Sequence, residues 1–280
     1  VEVNDICIPP VNGDWIINGT KRVICYDKDI NIFGNIKVQG NSTFILKNSD
    51  VNSTIYSKNN STINIINTNL RREIYFQEDS YATIINSTLD NDIFSSISSL
   101  LVNDSNVQIF NSEINYLLIE KEADMSIKDS NIGEIKLHSG YNNNISINDL
   151  FYEFFEGGYV NQSFDINSNE NNFSLSLINT TFNYFGFVGY SNSVNHINNN
   201  KHEFSFFGFR HNSYNVLSNS YFNELWFIED SVNILNNITS SDWLSGLFYF
   251  DGDSNNNLSN SKLGYMVNFV GNSNNRITNL

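Results

Sequence analysis

Glu134 and Glu153 stand 19 residues apart. In a chain that repeats with that period their carboxylates would lie about one strand spacing, ~4.8 Å, from each other. That separation suits either a cation site or an acid pair; two solvated glutamates on an outer face are the plainer alternative. A second acidic run, Asp251-Gly-Asp253-Ser-Asn255-Asn-Asn257, alternates oxygen ligands as part of a calcium loop does, but lacks the distal bidentate glutamate. Calcium, with Asp251, Asp253 and Asn255 as ligands, is the one cofactor to weigh; otherwise none is expected. His196, His202 and His211 show no regular metal spacing and no neighbouring cysteine, so they read as surface residues. Arg22, Arg71, Arg72, Arg210 and Arg276 do not recur in one column, and no Gly-rich phosphate loop or nucleophile elbow is present. No catalytic residue is assigned, and an enzyme is not the expected answer.

The elements that would position these groups are set by a repeat. Alternating apolar residues, then Asn or Asp, then a small polar residue, then an apolar one recur as FILKNSDV, INIINTNL, ATIINSTL, VQIFNSEI, MSIKDSNI and later variants. The key positions are Asn48, Asn67, Asn86, Asn111, Asp129, Asn148, Asn179, Asn198, Asn219, Asn236, Asn260 and Asn279, with Asn198 and Asn236 in the most polar surroundings. Successive spacings are 19, 19, 25, 18, 19, 31, 19, 21, 17, 24 and 19. About 19 residues is too short for a helical hairpin or a propeller blade, but fits one coil of a β-solenoid. Alternation sends one set of apolar residues inward, where stacked coils cover it. The fold class expected is all-β, a right-handed parallel β-helix forming a single domain over residues 1–280. Residues 1–30 make an N-terminal cap and first coil, and the longest step marks an insertion around 157–172.

The recurrent Asn has a physical reason. It tolerates the left-handed backbone of a tight corner better than other non-glycine residues. Its amide both donates and accepts, so stacked copies form an internal Asn ladder. Asn-Ser merely marking exposed turns is the competing explanation. Asn256 lies outside this column and reads as a loop residue, replaceable at little cost.

Composition agrees. There are 52 Asn and two Pro, with a hydrophobic content of 40%. Ala, Leu, Glu and Lys are too scarce to build helices, while Ile, Phe, Tyr, Val and Thr favour strands. A net charge of -15 opposes binding to nucleic acid or an anionic membrane surface. No apolar run approaches membrane-spanning length, so membrane insertion is not expected. The chain opens on Val1 rather than Met, as after removal of a signal peptide. Cys7 and Cys25 allow one disulfide, worth roughly 3 kcal/mol; two buried thiols are the alternative. Thirteen Asn-x-Ser/Thr sequons are present. Asn86 and Asn179 also belong to the ladder and are expected to be bare. Asn18, Asn41, Asn52, Asn60, Asn103, Asn144, Asn161, Asn172, Asn237 and Asn257 are candidate acceptors of N-linked glycans, with Asn59 overlapping Asn60. A secreted or cell-surface protein follows.

Aromatic residues crowd the second half. Phe185, Phe187, Phe207, Phe209, Trp226, Ile228, Phe248 and Phe250 form one possible outward set; Tyr184, Phe206, Phe227, Trp243 and Tyr249 form another. Either would serve as a lateral interface or a sugar platform, unless a wide coil interior uses them all.

Residues 12–51 resemble the opening of archaeal cell-surface proteins with pectate-lyase-like β-helices. The residues that carry the likeness are Trp15, Cys25, Gly34, Asn35, Ile36, Val38, Gly40, Phe44, Leu46, Asn48 and Val51. The resemblance implies the β-helix over the whole repeat, on which enzymes, adhesins and passive surface material are all built. Without a catalytic column, the first expectation is an extracellular structural protein that assembles with itself into a surface filament or layer. A carbohydrate-binding adhesin or polysaccharide-active enzyme is the alternative. The last phrase, Asn275 to Leu280, begins another ladder corner and stops, so subunits are expected to stack head to tail.

Overall fold

The computed structural model describes residues 4–89, 100–120, 123–139, 143–148, 164–168, 173–178, 181–182, 185–189, 193–198, 201–210, 213–240, 247–263 and 266–279. Every strand pairing among them is parallel, and the described residues contain no helix. The protein is a β-solenoid. Two compact units compose it, Val1–Gly133 and Glu134–Leu280.

In the first unit each coil has three walls. The first stacks Arg22–Tyr26, Thr43–Lys47, Thr62–Ile66, Ser80–Ile85, Ser105–Phe110 and Asp124–Lys128. The second stacks Asp29–Asn31, Asp50–Asn52, Asn69–Leu70 and Thr88–Leu89. The third stacks Trp15–Ile17, Ile36–Gln39, Ile55–Lys58, Ile74–Phe76 and Leu100–Asn103. Thr43, Thr62 and Tyr81 pair in register, 19 residues apart, as the repeat requires. The 25-residue step is also located. Ile74 pairs with Leu100 whereas Asn69 still pairs with Thr88, so the extra residues fall between Leu89 and Leu100.

Inward columns fill the coil. Phe44, Ile63, Val107 and Met125 make one; Cys25, Leu46, Ile65, Ile84, Ile109 and Ile127 make the next, all buried. Full burial of each such side chain contributes roughly 1.5–3 kcal/mol. Cys7 and Cys25 are joined in a disulfide that ties the segment after Asn4–Ile6 to the first full coil. Trp15 packs edge-on against Phe44 at 5.4 Å between ring centroids.

The second unit repeats the plan. Its first wall passes through Asn143–Asn148, Phe173–Ile178, Ser193–Asn198 and the starts of the strands Tyr214–Ile228 and Val232–Ser240, then Asn255–Ser259 and Asn274–Thr278. Phe164–Ser168 pairs in register with Ile135–Ser139. The 31-residue step therefore holds its extra residues ahead of Phe164. Residues 164–168, placed within the expected insertion around 157–172, are a regular wall strand.

The corner column is real, and it stands at the rim of the coil rather than inside it. Asn48, Asn67, Asn86, Asn111 and Asp129 all take positive φ, between 43° and 51°. Asn67 Nδ2 donates to Asn48 Oδ1 at 3.0 Å, Asn86 to Asn67 at 3.1 Å and Asn111 to Asn86 at 2.8 Å, all exposed. Asp27, with φ 51°, occupies the same corner one coil earlier, and its N–H donates to Lys47 O. In the second unit Asn219, Asn237, Asn260 and Asn279 take this corner. Asn237 thus replaces Asn236, the expected member. Asn237 Nδ2 donates to Asn219 Oδ1 at 3.0 Å, while Asn236 Oδ1 accepts from Asn260 Nδ2 at 3.1 Å. Asn148 and Asn198 end strands whose side chains are not described, and Asn179 lies outside the described residues.

The hydroxyl after each corner Asn explains the rest of the phrase. Ser49, Thr68, Ser87, Ser112 and Ser130 are buried. Each donates to the carbonyl two residues before it. The last four also accept the backbone N–H of the equivalent residue one coil earlier. A turn that would leave buried amides without partners is closed by one small side chain.

Candidate functional site

An interior ladder exists, built of residues other than the recurrent corner Asn. Asn215, Asn233, Asn256 and Asn275 stack in one register. Asn215, Asn233 and Asn256 are at most 3% exposed. Asn215 Nδ2 donates to Asn233 Oδ1, Asn233 to Asn256 and Asn256 to Asn275, each at 2.7 Å. The second amide proton goes to the serine two residues before, Ser213, Ser231, Ser254 or Ser273, at 2.8 to 3.0 Å. Asn256 is therefore a core residue rather than a replaceable loop residue. In the first unit Val23, Phe44, Ile63 and Ala82 stack as an inward column of the first wall without any amide. The sequence signal was the recurring Ser-x-Asn at the head of these strands.

The aromatic residues divide by strand phase. Phe209, Phe227, Phe250 and Phe269 form an inward column with centroids 5.0 to 5.3 Å apart and planes 10° to 16° from parallel. Phe222 and Phe248 are buried as well. Trp226 and Tyr249 are half-buried on the other face, 5.2 Å apart and tilted. Both expected outward sets therefore mix faces: Phe209, Phe248 and Phe250 of the first, and Phe227 of the second, point in. A step of 18 residues from Phe209 to Phe227 and of 23 from Phe227 to Phe250 changes the phase that a constant odd step would keep. The side chains of Phe185, Phe187, Phe206 and Phe207 are not described, and Tyr184 and Trp243 lie outside the described residues.

The chemical candidates do not converge where they are described. Asp251 Oδ1 accepts from Gly252 N at 2.7 Å and Oδ2 from the Tyr249 hydroxyl at 3.4 Å, so this carboxylate closes its own turn. Asp253 is exposed, and Asn255 opens a strand with its side chain outward. Among the described residues no group of three His, Cys, Asp or Glu is placed to share a metal. Glu134, His196 and His202 lie in strands whose side chains are not described; Glu153 and His211 lie outside the described residues.

No known protein family, curated protein or solved structure matches the chain.

Two shallow depressions mark the outer surface of the first unit. One, of about 520 Å³, crosses the third wall and is lined by Ile16, Asn35, Lys37, Gln39, Tyr56 and Lys58, among others. Tyr56 and Tyr75 stack there at 4.8 Å, 8° from parallel. Burial, with Glu73 and Tyr56 nearby, raises the Tyr75 hydroxyl above its ordinary value. At the edge, Asp14 accepts from Asn35 N at 2.9 Å and pairs with Lys37. Those two contacts hold its carboxyl below the usual range. The other depression, of about 540 Å³, lies where the second wall turns into the third and is lined by Asn31, Phe33, Asn35, Asn52, Thr54 and Arg72, among others.

Of the sequon residues, Asn18, Asn41, Asn59, Asn60 and Asn257 are exposed, and Asn52 and Asn103 are half-buried. Asn86 and Asn237 have their amide nitrogens engaged in the corner ladder. Asn144 lies in a strand without a described side chain; Asn161 and Asn172 lie outside the described residues.

Proposed function

We propose that the chain is an extracellular, glycosylated structural protein that assembles with copies of itself into a surface filament or layer. The observation that carries this is the corner ladder. One coil is joined to the next by the same exposed amide-to-amide bond, step after step, in both units. Each amide donates in one direction along the stack and accepts in the other, so a bond of this kind is not self-limiting. A second copy in register would continue it, and a contact between unlike faces propagates rather than closes. The disulfide supports an oxidising compartment. No helix among the described residues is long and apolar enough to cross a membrane.

Negative-stain imaging of native material tests the assembly. Filaments or sheets are expected; isolated particles at every concentration would reject it. The third-wall depression favours a second role, as a glycan-binding adhesin. There Lys37 and Lys58 stand beside Tyr56 on a chain of net charge -15. Retention on an anionic polysaccharide column, lost in Lys58→Glu, would favour that role.

A further inference from the structure

The geometry points to Asn52 as an occupied glycosylation site whose first sugar packs on the ring of Phe33. This rests on the secreted, glycosylated reading above and says which sequon the fold itself prepares. Phe33 is 99% exposed, an isolated apolar ring held out at a corner. Asn52 opens the sequon Asn52-Ser53-Thr54 one coil further on, and both residues line the same open basin of about 540 Å³. The ring therefore stands beside a covalent attachment point rather than over a core.

The amide is also oriented for the role. Arg72 Nε donates to Asn52 Oδ1 at 3.1 Å and fixes the amide by its oxygen. Asn52 Nδ2 reaches Asn31 Oδ1 only at 3.5 Å, the outer limit of a hydrogen bond. By contrast, Asn86 and Asn237 commit their nitrogens at 3.1 and 3.0 Å. In the transfer, Asn52 Nδ2 attacks the anomeric carbon of a lipid-linked, diphosphate-activated sugar. The new C–N bond forms as the C–O bond to the diphosphate breaks, and one Nδ2 proton leaves to the transferase base. The product is a secondary amide. It keeps one N–H for Asn31 and its oxygen for Arg72, so no contact at the basin is lost. The apolar face of the sugar covers Phe33, removing that ring from water. Asn35 and Thr54 supply polar partners for its substituents.

The test secretes the full chain from an N-glycosylating host. Glycopeptide mapping is expected to find Asn52 modified. Phe33→Ala should lower Tm in the glycosylated protein, and neither after enzymatic deglycosylation nor in the Asn52→Gln background. A bare Asn52 beside other occupied sequons overturns this inference while leaving the secreted reading intact; bare asparagines throughout overturn both. An equal Tm shift from Phe33→Ala with and without the glycan also overturns it. Absence of filaments in micrographs bears on assembly alone.

Discussion

Asn233 Nδ2 lies 2.7 Å from Asn256 Oδ1, with neither residue more than 3% exposed. Replacing Asn233 with Leu removes the acceptor of Asn215 and the donor to Asn256, leaving two buried polar groups unmatched. Each costs about 1–3 kcal/mol. Asn256→Leu is expected to behave alike. Asn67→Gly at the rim should cost far less, since its neighbours turn to water and glycine accepts the φ of 49°. Urea denaturation of the three variants checks the order; equal midpoints would remove the distinction between the two ladders.

Reduction of Cys7–Cys25, which are 18 residues apart, is expected to loosen the first coil by roughly 3 kcal/mol. Each coil touches only its neighbours, so the effect should stay local. Hydrogen exchange with and without reductant should show faster exchange in the strands Asn4–Ile6 and Arg22–Tyr26. Thr62–Ile66 should be unchanged. Acceleration across the whole unit would show that the coils unfold as one.

Two groups give opposite pH signatures. Asp14, held low by Asn35 N–H and Lys37, contributes stability above its ordinary value of 3.8. That contribution is lost as pH falls through the lower folded value. Tyr75, raised chiefly by burial, contributes stability below its ordinary value of 10.0 and loses it as pH climbs toward the raised folded value. NMR titration should place Asp14 below 3.8, rising toward it in Lys37→Gln. Ultraviolet titration should show a late tyrosinate step that Tyr75→Phe abolishes.

Gly34 has no room for a side chain: a Cβ would stand 2.2 Å from Gly13 O and 2.7 Å from Asp14 N, both backbone atoms. Gly34→Ala should therefore destabilise the first coils by about 1–3 kcal/mol. A midpoint unchanged in urea would show that these two turns separate freely.

The corner was legible because its demand is local. A residue at φ near 50° selects Asn, and the serine or threonine after it selects a small hydroxyl, so both leave marks in the sequence. Asn236 was displaced by one because Asn236 and Asn237 are adjacent and each satisfies the composition. What sequence spacing did not reveal depended on where a strand begins its in–out count. Trp226 and Phe227 exchange faces with a single residue of step length, and only the register decides. The interior asparagines were hidden by expectation: an apolar column in one unit gives no warning that its counterpart in the other carries amides.

Because the interior amides all face one way, no member can turn by itself. Reversing Asn233 would set its oxygen against that of Asn256 and its nitrogen against that of Asn215. The four side chains therefore behave like aligned spins in a one-dimensional magnet. Their orientation is a collective variable, and a defect at any one site is felt along the row.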